Sequence, residues 1–458
     1  MENKEIKPIC VFQGPISSRS GYGDHARDIA MSLIKSEKYD VKIVSTQWGS
    51  TPPTALNDKS PNSITLASHI LQKQLTAVPE IFIQMSIPVE FNPMGKYNIG
   101  ITAGIETTVC KGDWIEGLNK MDMNIVPSKH ARDVFDNSKF KKKLKTGQEV
   151  PLELTKPIEV LFEGSDLEIY HKTDKIAQSV TDSLSDIPED FLFLFVGHWL
   201  NGKVGADRKD ISMMIKTFCE VFKNQKKKPA LLLKVSSATF SHIDKDHCLK
   251  KIKMIKSYIE GDLPNIYLLH GDLSSNEINS LYNHPKVKTH ISFTHGEGYG
   301  RPLQEATLSE KPLLVSDWSG HKDFLNPDLA LLLPGEVKPL PKDAVNEWLI
   351  AESGWFNVNY SVAAQMIDKV YNKYDSFLPN AKKLGKENAK RFSLEKMDEA
   401  FDVILQKYLP EFEMNVEVNL PKLVKKGSNS AGGISLPKLK KKTSDGSQSV
   451  KLPALKKK

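Results

Sequence analysis

Short apolar runs of strand length alternate with stretches of helical periodicity, and this alternation occurs twice along the 458-residue chain. The first series begins with a strand-like run at 8–13 and a helix-like run at 24–36; the second begins at 191–196 and 211–222. Strands that alternate with helices form parallel α/β sheets. The sequence therefore predicts an α/β protein with two successive units, each large enough for its own core.

Further apolar runs extend both series, and we place the boundary between the two units near residue 165. An amphipathic helix is expected at 393–409. The remaining strand candidates are 41–45, 80–84, 97–102 and 123–127 in the first unit, and 231–235, 266–269, 289–293 and 313–316 in the second.

The basic character of the chain is concentrated in its last 40 residues. Residues 419–458 contain 11 of the 63 basic residues and one of the 56 acidic residues, so the rest of the chain is slightly acidic. This distribution does not favour a nucleic-acid-binding surface over the whole protein. A Leu-Pro-x-Leu motif followed by lysines starts at 420, 436 and 452, separated by polar spacers. We predict a disordered tail over 413–458 with three copies of one short motif.

Other features favour a soluble cytoplasmic enzyme. No apolar run approaches the roughly 18 residues that a membrane-spanning helix needs. The first residues lack the apolar region of a secretory signal. Four cysteines are scattered without a CxxC pair, which favours reduced thiols.

The segment 293–305 (FTHGEGYGRPLQE) is the strongest chemical signal. It follows an apolar strand and opens a helix, so its glycines at 296, 298 and 300 would let the backbone approach a ligand closely. Glu297 and Glu305 can face the same ligand. The alternative is an ordinary glycine turn with two surface glutamates.

This segment resembles the Glu-x7-Glu motif of retaining nucleotide-sugar glycosyltransferases of family 4, also called glycosyl transferases group 1. The surrounding segments 128–135, 163–167, 272–282 and 311–325 resemble the same family. The resemblance covers roughly residues 8–410 and is strongest over 160–330. It implies the GT-B architecture, in which two Rossmann-like domains, here 1–165 and 166–392, face each other across a cleft. The C-terminal helix at 393–412 would complete the first domain.

The resemblance implies roles for several residues of the second domain. Glu297 matches the first glutamate, beside the donor sugar and the reaction centre, and is the predicted catalytic residue. Glu305 matches the glutamate that holds the nucleotide ribose. The remaining donor-binding positions are the backbone of Gly298, Tyr299 and Gly300.

The diphosphate of the donor is expected to lie between cations and a glycine loop. Arg208 and Lys209 match the family's basic pair, and fixed cations would stabilise the charge of the leaving diphosphate; alternatively they are a solvated pair at a helix start. The first-domain glycine loop that faces the diphosphate matches Gly21, Tyr22 and Gly23.

The chain departs from the family at two positions. His198 follows Gly197 where an arginine is common, so Lys203 is a candidate for the missing cation. Glu106 stands near the position where many members carry a histidine beside the acceptor. It is a candidate base or orienting residue, although an ordinary polar residue at a strand end is an equal alternative.

We predict no cofactor, because the UDP- or GDP-sugar donor is a co-substrate. The Asp244/Asp246 pair lies in a segment that reads as a polar loop and is not expected to bind metal. The predicted reaction transfers a sugar to a hydroxyl acceptor with retention of configuration. Alternatives are a nucleotide-sugar epimerase, a degenerate GT-B binding module, or a nucleic-acid acceptor reached through the tail. The tail itself is expected to bind a polyanion or a partner protein.

Overall fold

Two parallel sheets of six strands each form the framework of the protein. The computed structural model describes residues 7–73, 75–200, 202–237 and 239–412, which belong to one compact body. The predicted α/β architecture with two Rossmann-like domains is confirmed. The predicted tail and its three repeats lie outside the described residues.

The first domain is built around a sheet whose neighbouring strands are all parallel. In chain order its elements are β1 (Ile9–Gly14), α1 (Gly21–Lys35), β2 (Asp40–Ser45), α2 (Pro61–Ser68), β3 (Ile81–Met85), β4 (Tyr97–Ile101), α3 (Gly112–Leu118), β5 (Met123–Val126), α4 (Lys129–Asn137), β6 (Phe140–Lys143), β7 (Glu149–Leu152) and β8 (Ile158–Val160). The strand order is β2-β1-β3-β4-β5-β8. Ile43 of β2 also forms a single parallel bridge with Ile70, on the outer edge of the sheet. Ile70 thus lies where a dinucleotide-binding sheet has its outer strand.

The second domain repeats this plan with a complete outer strand. Its elements, with those that follow it in the chain, are α5 (Gln178–Leu184), β9 (Leu192–His198), α6 (Ile211–Phe222), β10 (Ala230–Ser236), α7 (His242–Ser257), β11 (Ile266–Leu269), α8 (Ser275–Asn283), β12 (Val287–Ser292), α9 (Arg301–Thr307), β13 (Leu313–Ser316), β14 (Leu331–Leu333), β15 (Gly335–Pro339), β16 (Gly354–Val358), α10 (Tyr360–Asn372), α11 (Leu378–Arg391) and α12 (Leu394–Tyr408). The strand order β11-β10-β9-β12-β13-β14 is the doubly wound order of Rossmann folds.

The central strands are apolar along their length because helices cover both faces of each sheet. Every residue of β10 is buried. One face of the second sheet packs against α6, α7 and α10, and the other packs against α5, α8 and α9. The sheets are therefore rigid supports, and the loops at the carboxyl ends of their strands are left to form a site.

The last helix, α12, packs against the first domain. Met397, Phe401 and Leu405 are buried in the core that β1, β3 and α1 also form. Just before α12, the returning chain is hydrogen-bonded to Ser165. The N–H of Ser165 donates to Phe392 O (2.9 Å), and its carbonyl accepts from Leu394 N (2.8 Å).

Two hairpins were not predicted from the sequence, and one segment differs from its prediction. The lysine-rich stretch at 139–145 and the polar residues after it form the antiparallel hairpin β6–β7. A second antiparallel hairpin, β15–β16, carries a long connection over 340–353. The segment around Asp244, expected to be a loop, is the first turn of α7, which Ser241 caps and whose residues Cys248, Ile252 and Ile255 are buried. No helix in the described part of the chain is long and apolar enough to cross a membrane.

Candidate active site

A cleft of about 1000 Å³ lies between the two sheets, at the carboxyl ends of their strands. This is where doubly wound folds bind ligands, because the loops of both sheets converge there. The predicted site residues that line it are Gly21, Tyr22, Glu106, Arg208, Lys209, Glu297, Gly298, Tyr299, Gly300 and Glu305.

Two cations and two carboxylates form a charged quartet inside this cleft. Lys209 Nζ donates to both oxygens of Glu297, with 2.5 Å to Oε2. Arg208 Nη1 donates to Glu106 Oε1 from the first domain and lies 4.0 Å from Glu297 Oε2. The quartet thus joins residues that the sequence singled out separately, and it spans both domains.

The turn that carries Arg208 and Lys209 is fixed by two buried carboxylates. Asp207 accepts hydrogen bonds from Ile211 N (3.0 Å) and Ser212 Oγ (2.8 Å) at the start of α6. Asp210 has a φ of +48°, which places it in the left-handed region, and its Oδ2 accepts from Tyr360 Oη at 2.6 Å. Sequence reasoning missed both residues, although Asp on each side of a basic pair was a visible signal.

The loop after β12 is tied to that same turn. His295 N donates to Arg208 O at 3.0 Å, so Glu297, two residues later, is held close to Lys209. His295 itself does not line the cleft, because its ring is buried, stacks on Trp355 at 4.0 Å and bonds to Phe356 O.

Glu297 is ionised in this environment. Burial alone would raise the pKa of its carboxyl group, but the charges of Lys209 and Arg208 outweigh this effect and lower the pKa below its ordinary value. A carboxylate held in this way can make strong charge-assisted hydrogen bonds with neighbouring groups.

The glycines of the 296–300 loop allow the two domains to approach each other. A Cβ on Gly296 would lie 2.4 Å from Glu106 O, and one on Gly298 would lie 2.4 Å from Ala103 O. Ser128 Oγ of the first domain donates to Gly298 O at 2.5 Å. The sequence suggested that these glycines make room for a ligand; at 296 and 298 they make room for the first domain.

Glu305 lies deeper in the cleft beside a second ion pair. Arg301 Nε donates to Glu305 Oε1 (3.0 Å), and Arg301 Nη1 donates to Asp28 Oδ2 of the first domain (2.5 Å). Glu163 lies near these charges. Burial raises the pKa of Glu305 to about 7 and that of Glu163 to about 8, although the charge of Arg301 opposes the shift.

The glycine segment of the first domain is helical and is not a loop. Ser20 caps α1, so Gly21, Tyr22 and Gly23 form its first turn. Tyr22 Oη accepts from Ala103 N at 2.9 Å. Gly21 and Tyr22 line the cleft, whereas Gly23 faces the preceding backbone, where a Cβ would lie 2.1 Å from Ser18 O.

Lys203 does not take the place of the missing cation. It is exposed, and its Nζ lies 2.9 Å from Asp343 Oδ2. Lys234, which follows the apolar part of β10, lines the cleft instead and donates to Gly271 O at 2.9 Å. No sequence pattern indicates Lys234, because a lysine in a strand of a buried sheet is ordinarily a boundary residue.

Four of the six tryptophans line the cleft, at positions 48, 114, 348 and 355. Trp48 stacks on Tyr22 with ring centroids 3.9 Å apart. Within the described ranges, no group of three or more His, Cys, Asp or Glu side chains could hold a metal ion.

Several solved structures match this chain over most of its length. HepE from Anabaena, in complex with UDP and glucose, is 11% identical; the match covers 87% of this chain and 100% of HepE, with a TM-score of 0.52. A glycosyltransferase from Rickettsia africae is 13% identical, with 88% and 99% covered and a TM-score of 0.56. Sucrose-phosphate synthase from Thermosynechococcus elongatus matches with the same four values.

The chain has the GT-B fold. At these sequence identities the likeness concerns the fold alone. No protein-family model matches the sequence, and no curated protein matches it either. Membership of family 4 therefore stays a prediction, and the site residues must be judged from their own geometry.

Proposed function

We propose that this protein is a glycosyltransferase that moves a sugar from a nucleoside-diphosphate donor to a hydroxyl group of an acceptor. The observation that carries the proposal is the placement of Arg208 and Lys209 beside Glu297 at the carboxyl ends of the strands in a GT-B cleft. One structural neighbour supports the choice of donor, since HepE was solved with UDP and with UDP-glucose.

Each charged group of the quartet has a chemical task in this proposal. Lys209 and Arg208 bind the diphosphate and stabilise the negative charge that it gains as it leaves. Glu297 contacts the donor sugar beside the reacting carbon. Glu106 accepts a hydrogen bond from the acceptor hydroxyl and takes its proton during transfer.

We extend the proposal to retention of configuration and to transfer without a divalent metal. Retention rests on the resemblance of 293–305 to the Glu-x7-Glu motif. Metal independence rests on the two cations, which can neutralise a diphosphate through charge-assisted hydrogen bonds. Glu305 then holds the nucleotide ribose, and closure of the domains excludes water from the activated sugar.

A screen of UDP-, GDP- and other nucleotide sugars for binding and slow hydrolysis tests the proposal directly. With the donor found in this way, Lys209→Ala should weaken binding by about 1.5–3 kcal/mol, the strength of a hydrogen bond to a charged group. Lys203→Ala is the matched control, because this lysine lies on the same segment and is exposed. Donor affinity that is unchanged in Lys209→Ala would contradict the assignment.

A further inference from the structure

The long connection between β15 and β16 crosses from the second domain to the first. Thr108 N donates to Gly354 O, and Gly354 N donates to Thr108 Oγ1, both at 2.9 Å. Leu349 packs against a first-domain cluster that contains Ile105 and Trp114. The connection is therefore a fixed wall of the cleft at the end where Glu106 lies.

Two indole rings line the cleft beside this connection. Trp348 and Leu349 belong to the connection, and Trp114 belongs to α3 of the first domain. We call these three residues the tryptophan wall. Trp348 is 39% exposed, which is unusual for the largest apolar side chain. Trp114 is 4% exposed, and its Nε1 has no hydrogen-bond partner within the described residues. The Nε1 atom of Trp114 is itself buried, so the wall offers the cleft an apolar aromatic surface.

The polar groups around the tryptophan wall are acidic or neutral. Glu90, Asp343 and Asn346 line the same part of the cleft, together with Glu106. The nearby cations are already paired, Arg208 with Glu106 and Lys203 with Asp343. Glu90 makes no ion pair within the described residues, so its carboxylate would repel an anionic ligand at short distance.

A neutral carbohydrate satisfies all of these features. The C–H face of a sugar ring packs against indole, and carboxylate oxygens accept hydrogen bonds from its hydroxyls. Convergent polar groups on an apolar wall are the usual composition of a small-ligand site.

We propose that the tryptophan wall is the acceptor subsite and that it binds a neutral carbohydrate, whose hydroxyl is directed to Glu106. This inference rests on the proposed glycosyl transfer. It adds the chemical class of the acceptor and assigns part of the acceptor site to the second domain.

The test measures binding of maltose, cellobiose and lactose to the full chain saturated with UDP or GDP, whichever binds more tightly. Calorimetry and saturation-transfer NMR report the affinity; glucose 6-phosphate and a short single-stranded oligonucleotide are the charged competitors. We expect at least one neutral disaccharide to bind and neither charged ligand to displace it.

Two variants connect this binding to the tryptophan wall. Trp348→Ala should weaken disaccharide binding about tenfold, which corresponds to about 1.4 kcal/mol, with nucleotide affinity unchanged. Trp114→Phe keeps an aromatic ring in the core but reduces the apolar surface of the wall, so it should weaken binding several-fold without loss of folding. Val345→Ala is the control, since Val345 is exposed on the same connection and does not line the cleft.

Three outcomes would overturn the inference. They are no binding of any neutral sugar to the nucleotide-loaded protein, full affinity in both tryptophan variants, or Trp348-dependent binding of the oligonucleotide. In each case hydrolysis of a nucleotide sugar that depends on Lys209 would still support the proposed transferase. A protein that binds no nucleotide sugar would overturn both.

Discussion

Glu297 is nearly buried, lies beside Lys209 and Arg208, and lines the cleft. Its carboxylate is therefore stabilised by two cations and can still contact a ligand. Such a residue can be changed without loss of packing, because it contributes a charge to the cleft and no apolar contact to a core. Its role can therefore be separated from the stability of the fold.

The isosteric change Glu297→Gln should keep the fold and nucleotide binding but lose most sugar transfer. The amide preserves the volume, and the cations remain free to bind the diphosphate. We expect turnover at saturating donor to fall by about 10²-fold or more, the cost of removing one stabilising polar group from an active site. Wild-type turnover in this variant would place the reaction centre elsewhere.

Glu163 predicts a pH dependence of stability. Its pKa is about 8 in the folded protein, against 4.5 for an ordinary glutamate. Between these pH values the folded state binds more protons than the unfolded state, so the free energy of unfolding falls as pH rises, by up to about 1.4 kcal/mol per pH unit. Glu163→Gln should flatten this decline. The check is urea unfolding at pH 5 to 8; parallel profiles for the two proteins would show that Glu163 is not the group responsible.

At the level of elements, the glycine loop after β12 joins the two domains. Gly298→Ala would place a methyl group against the backbone carbonyl of Ala103, which cannot move as a side chain can. We expect a loss of about 1–3 kcal/mol in the free energy of unfolding, as for overpacked positions. Gly21→Ala is the control, since a Cβ there meets no atom within 4 Å. Equal melting temperatures for the two variants would contradict the close contact between Gly298 and the backbone of Ala103.

The sequence predicted the strands of both sheets well because parallel strands buried on both faces are apolar along their whole length. It missed β6–β7 and β15–β16, whose pairing is antiparallel; the residues of β6, β7 and β15 are exposed or half-buried, whereas those of β16 are mostly buried. It also missed α7, where the apolar stripe is narrow and the polar residues dominate.

The candidate site was predicted less completely, for a related reason. Glu297, Glu305, Arg208 and Lys209 lie in or beside sequence patterns, and all of them line the cleft. Trp348 and Lys234 belong to no pattern, and they reach the cleft only through the folding of distant segments. The pairing of Arg208 with Glu106 likewise joins residues about a hundred positions apart, which spacing cannot indicate.

At the level of the whole chain, the binding role of the tail remains a hypothesis from the sequence. Deletion of 419–458 should leave donor binding and turnover on a small acceptor unchanged, but weaken binding to a polymeric or multimeric partner, because repeated motifs raise the effective concentration. Binding to a nucleic acid should fall steeply with salt, whereas a leucine-dependent, salt-tolerant component would indicate a protein. Equal binding of both forms to every polymer tested would end the hypothesis.

The charged quartet also bears on the entropy of ligand binding. Lysine and arginine side chains have many rotamers, and unpaired cations would lose entropy when a ligand fixed them. Here Glu297 and Glu106 already hold Lys209 and Arg208 at one place. In the proposed function, a diphosphate that binds here meets cations already in position, so little further side-chain entropy is lost on binding.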